Sequence, residues 1–213
     1  MAISPKLRRV LCIGGFALLL LGGAGGLFAW VKFFREEPER AFANEVERFK
    51  YGSIGGEADA GLPYWIWMAL PRVFPDLLPG PGGYRSLGVI CEDGQELPVG
   101  FTKKVIGFPR VGNNCALCHT GTYRASEADA PVVVTGAPAH ALNMQGMFAF
   151  LFKAAADPRF NGETIMREID QLTKLSAVDR LLYRHLIIPV VRKRILEQAK
   201  LGAWMLDPQR PAW

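Results

Sequence analysis

The chain has 213 residues, 50% of them hydrophobic, with a formal charge of +5 and an isoelectric point of about 9.1. That length accommodates one domain plus an appendage. The basic balance does not mark a nucleic-acid-binding protein: acids interleave with the bases, as in Arg35-Glu36-Glu37, and the one dense cluster, Arg192-Lys193-Arg194, reads as a solvated helix face.

The first element is a membrane segment. Val10 to Trp30 reads VLCIGGFALLLLGGAGGLFAW, 21 residues without a charge. At about 1.5 Å per residue it spans roughly 30 Å of hydrocarbon. Lys6, Arg8 and Arg9 precede it, whereas Glu36, Glu37 and Glu39 soon follow Lys32 and Arg35. The basic flank places the N-terminus in the cytoplasm, so everything after Phe34 is expected on the far side. Trp30, Phe33 and Phe34 suit the outer membrane–water interface. The rival is a cleaved signal peptide, for which Gly22-Gly23-Ala24 would be a poor processing site. The expected organisation is a cytoplasmic N-terminus and anchor over 1–35 and an exported domain over 36–213.

Within the exported part, Phe42, Val46 and Phe49 recur at helical spacing and predict an amphipathic helix over Glu39–Lys50. Pro63 to Met68 reads as a buried helical turn, and Pro79-Gly80-Pro81-Gly82-Gly83 as a loop. Leu87–Cys91 and Leu97–Phe101 flank Asp93-Gly94, which reads as a hairpin or, alternatively, an irregular loop. Cys91 is expected to be a small core residue. Pro131 to Thr135 is extended. Three helical patterns close the chain. The first runs from Leu142 to Ala156 and ends at Asp157-Pro158. The second runs from Glu163 to Leu175, capped by Asn161. The third runs from Ala177 to Leu201, where Pro189 should kink or split it. The fold class is therefore mainly α, an N-terminal transmembrane helix followed by a helical domain with long loops and a small hairpin.

Chemistry concentrates in Asn114-Cys115-Ala116-Leu117-Cys118-His119. This is C-x-x-C-H, the attachment pattern of a c-type haem. The thiols of Cys115 and Cys118 add to the two vinyl groups as thioethers, and His119 binds the iron. The spacing lets both sulfurs and the imidazole reach one macrocycle from a single turn. Zinc would require four donors, typically from two separated pairs, and there is no second pair. A redox dithiol would require a thioredoxin-like βαβ context, which the chain lacks. Haem attachment agrees with export, and the haem domain is expected on the periplasmic side of a bacterial inner membrane. For the second axial position, His140 stands 21 residues past His119, where an extended segment meets a helix. His185, Met144, Met147 and Met166 are weaker candidates, and an open iron site is the remaining alternative.

Three stretches, PYWIWMALPRVFPDLLPGPGGY, PVGFTKKVIGFPRVGNNCALCHTGTYR and FAFLFKAAADPRFN, resemble the N-terminal haem half of di-haem cytochromes. These are the cytochrome c peroxidase-like proteins related to bacterial rubber oxygenases, and the resemblance covers roughly residues 51–213. It implies a cytochrome c-like helical haem domain, thioether links at Cys115 and Cys118, and His119 as proximal ligand. It further implies peroxidase- or oxygenase-like electron transfer with a redox partner protein or small-molecule oxidant. Members of that family carry two C-x-x-C-H motifs and this chain one, so a second haem is expected in a longer chain. The segment Asp207–Trp213 reads as neither a closing helix nor a polar tail, in line with truncation. The alternative is a mono-haem electron carrier or a gas-binding module.

Overall fold

The computed structural model describes residues 5–207 and 209. Most of the closing segment read as a truncation, Pro208 and residues 210–213, lies outside the described residues. About half of the chain is helical and the sheet content is small. The described residues divide into two units, 5–38 with 105–108, and the remainder.

The first unit is built on helix α1 (Pro5–Phe33). Its segment Ile13–Phe33 has a mean hydropathy of 1.7 and contains no buried residue. Among the described residues it is the one helix long and apolar enough to cross a membrane. The amides of Phe34 and Arg35 both donate to the Trp30 carbonyl, at 2.9 and 2.8 Å, and the second bond, spanning five residues, widens the last turn. Beyond it the backbone becomes extended: Glu37 N–H donates to Val105 O at 3.0 Å and Gly107 N–H to Arg35 O at 2.7 Å. The ring of Phe108 stands edge-on to Phe33.

The second unit begins with helix α2 (Glu45–Tyr51), shorter than the helix expected over Glu39–Lys50. Asn44 ends it on the N-terminal side, its side chain accepting from Glu47 N–H, as capping residues do. The expected buried face also changes. Val46 and Phe49 are exposed, while Tyr51 is buried and Phe42 packs from the preceding segment. The strand pair β1 (Leu62–Pro63) and β3 (Phe108–Asn113) is antiparallel, with β2 (Phe101–Ile106) on the other side of β3.

Helix α3 (Tyr64–Val73) extends well past the expected turn and contains Pro71. Proline cannot donate to the carbonyl four residues back, which here belongs to Trp67. The Tyr84 hydroxyl supplies the missing bond, donating to Trp67 O at 2.9 Å from a fully buried position, with its ring stacked on Trp67. The edge of the Tyr84 ring in turn meets Phe150 in helix α4 (Met144–Ala156). Helix α5 (Gly162–Leu172) packs on α3, with Ile165 and Ile169 buried and Asn161 capping as expected. The last helical pattern is one path in three parts: α6 (Ala177–Leu182), a π-helical turn over Tyr183–Ile187, and α7 (Ile188–Leu201). Pro189 sits just after the wide turn, which accommodates its missing donor without a break.

The hairpin expected around Asp93-Gly94 is absent. Residues 88–100 form an irregular loop in which Val99 N–H donates to Ile90 O. Pro98 removes one donor that a ladder would need. Cys91 lies in that loop, half-buried, rather than in a strand. The second hairpin instead joins β4 (Thr120–Tyr123) to β5 (Val132–Thr135), pairing Thr120 with Thr135.

Candidate functional site

Cys115–Leu117 form a single 3-10 turn, closed when Cys118 N–H and His119 N–H both donate to the Cys115 carbonyl, at 3.2 and 2.9 Å. The turn is two-sided. Ala116 and Leu117 are buried, whereas Cys115, Cys118 and His119 are exposed. Ala116 belongs to a small apolar cluster with Tyr51 and Val99, onto which Phe42 and Ile90 pack.

Asn114 fixes the turn to its surroundings. Its Oδ1 accepts from Ala116 N–H at 2.9 Å, capping the turn. Its Nδ2 donates to the carbonyls of Phe49 and Gly52 at the end of α2, at 3.0 and 2.9 Å. Its own N–H donates to Gly100 O, while Gly100 N–H donates to Lys50 O. Gly100 has φ +86°, and a Cβ there would lie 2.3 Å from Leu117 Cα. Only glycine allows both that backbone conformation and that approach.

Glu92 binds two groups of α2. Lys50 Nζ donates to one carboxylate oxygen at 2.6 Å and the Tyr51 hydroxyl to the other at 2.7 Å. Burial alone would raise the Glu92 pKa, but these two partners outweigh it and hold the carboxyl below its usual range. Burial, with the neighbouring Glu92 charge, pushes the Tyr51 phenol well up.

The β4–β5 hairpin folds the downstream chain back on the motif. Gly136 N–H donates to His119 O at 2.8 Å and Ala139 N–H to Cys118 O at 3.0 Å. His140 is thereby brought alongside the turn, exposed, with Nδ1 in the space that a side chain at Gly121 would border. The other axial candidates lie elsewhere. His185 is exposed on the π-turn, Met147 and Met166 are buried in α4 and α5, and Met144 is half-buried at the start of α4.

Among the described residues no three His, Cys, Asp or Glu side chains converge as an ion site. Zinc needs such convergence; thioether links form at separate carbons of a ring and do not. The cavity behind the turn, lined by Ala116, Leu117, Thr120 and His140, measures about 20 Å³. It has room for little more than one water molecule. A macrocycle attached to Cys115 and Cys118 would thus lie on the outer side, where those thiols stand. No protein-family model, curated protein or solved structure matches the chain.

Proposed function

We propose that the chain is a membrane-anchored c-type cytochrome that carries one haem on Cys115 and Cys118, with His119 as axial ligand. The observation that carries this reading is the division of the motif turn. Its two middle residues are buried, and its three reactive side chains are exposed together. Bound haem supplies one-electron redox chemistry, and the protein supplies the attachment points, the axial ligands and the access. Asn114 and Gly100 hold the turn so that both thiols stay on the open face. Helix α1, whose first turns carry Lys6, Arg8 and Arg9, anchors the chain with the haem domain on the periplasmic side of a bacterial inner membrane.

His140 is our candidate for the second axial position. His140 would hold the group together with His119, and its loop is tied to the motif by the Gly136 and Ala139 amides.

From the resemblance to di-haem peroxidase-like cytochromes we read this chain as the electron-transferring part of a larger oxidoreductase, serving a redox partner or a small-molecule oxidant. The single C-x-x-C-H favours a second reading, a mono-haem carrier or gas-binding module. Production with a cytochrome c maturation system, followed by denaturing mass spectrometry, tests the central claim. One added haem mass is expected, lost in Cys115→Ala with Cys118→Ala; a chain without added haem would sink the reading. Carbon monoxide added to the reduced protein then separates six-coordinate electron transfer, which is inert, from an open iron site, which binds it.

A further inference from the structure

The helical path from Ala177 to Leu201 is apolar on two sides. Its inner side buries Tyr183, Ile187, Ile188, Val191 and Ile195 in the unit core. Its outer side leaves Val178, Leu181, Leu186 and Val190 exposed, at 41–61% of their surface. Between Leu181 and Val191 only Arg184 and His185 are charged or ionisable apart from the buried Tyr183. A helix apolar all round is one that is covered on all sides. Exposed large apolar side chains on a helix already apolar on its inner side are what an interaction face leaves uncovered.

Charge selects the occupant. Residues 177–204 contain six basic groups (Arg180, Arg184, Arg192, Lys193, Arg194, Lys200) and two acidic ones (Asp179, Glu197). Arg180 pairs with Asp170, and Lys193 stands near Glu197. Arg184, Arg194 and Lys200 form no ion pair among the described residues. A second copy of this +5 chain would bring the same positive charge to the contact, so self-association is opposed. An exposed apolar face on a helix with an excess of basic residues is the pattern of a helix lying in a lipid headgroup layer. The chain also carries a helix long and apolar enough to cross a membrane, and that anchor would keep this face at high effective concentration near a bilayer.

We propose that the outer face of α6 and α7 docks on an anionic lipid surface, with Val178, Leu181, Leu186 and Val190 at the acyl boundary and Arg184, Arg194 and Lys200 on the headgroups. The proposal rests on the anchoring reading and is independent of the haem.

The full chain is reconstituted in nanodiscs with photo-reactive benzoylphenylalanine in place of Leu186, and separately of Val190. After illumination the adduct mass identifies the neighbour. Phospholipid adducts are expected at both positions. Their yield should fall about fivefold when phosphatidylglycerol is replaced by phosphatidylcholine, and similarly in Arg184→Gln with Lys200→Gln. Adducts to a second copy or to the nanodisc scaffold protein, or none, would overturn docking while anchoring stands. A chain that fails to co-purify with the discs overturns anchoring itself, and docking with it.

Discussion

Asn114→Ala should loosen the motif turn, and the structure sets the size of the effect. The substitution removes the cap on Ala116 N–H, a loss of about 1 kcal/mol. It also strips a donor from the carbonyls of Phe49 and Gly52, at about 1 kcal/mol each, the low end for acceptors shielded from water. The sum is about 3 kcal/mol, or a drop of about 6–12 °C in Tm for a chain of this size. Near-ultraviolet circular dichroism of the detergent-solubilised full chain reads this through the buried aromatic residues. Asn114→Asp separates the two roles: it keeps the accepting oxygen but turns a second oxygen toward the two carbonyls. It should therefore lose at least as much as the alanine variant. A shift below about 2 °C in Asn114→Ala, or an aspartate variant close to the parent, would show that Asn114 does not secure the turn.

Gly100→Ala places a Cβ against Leu117 in a left-handed conformation, so little folded protein should accumulate; normal yield and Tm would refute the close approach. Because the folded pKa of Glu92 is depressed, its stabilising contribution is present above the usual carboxylate range and is lost as pH falls through the lower folded value. Tm measured from pH 6 down to pH 3 should thus fall less steeply in Glu92→Gln, and parallel curves would argue against the pair with Lys50 and Tyr51. Tyr84→Phe leaves the Trp67 carbonyl without a partner in the core, so chemical denaturation should show a loss of about 1–3 kcal/mol, and no loss would mean the carbonyl is satisfied otherwise. In haem-loaded protein, His140→Ala should convert a low-spin ferric spectrum to high-spin and create carbon monoxide binding; an unchanged spectrum excludes His140 as ligand.

Local signals in the sequence were read well where they were strong. The 21-residue uncharged run corresponds to α1, and the cap at Asn161 and the positions of α4 and α5 follow from periodicity and polar punctuation. Reading failed where long-range contacts decide. Phe42, Val46 and Phe49 keep helical spacing, yet Asn44 starts the helix after Phe42, and Phe42 is recruited by Tyr51 and Ala116 instead. The Asp93-Gly94 signal produced a turn without strands, because the neighbouring backbone is held by other parts of the fold: Gly100 bonds to Lys50 and Asn114. Of the site, Cys115, Cys118 and His119 were legible as a motif. Asn114 carried a usable signal as a capping residue directly before the turn. Gly100 and Glu92 carried none, since their partners are distant in sequence.

The inward placement of Ala116 and Leu117 bears on whether the motif is portable. The two middle positions of C-x-x-C-H are usually treated as spacers, but here they are the footing of the turn. Ala116 is 1% exposed beside Tyr51 and Val99, so a larger side chain there would have to displace one of them. Moving Cys115–His119 alone into another loop would transfer the reactive groups without the platform that orients them. A faithful transplant would have to include Asn114, a glycine in the role of Gly100, and a shallow apolar seat for the alanine.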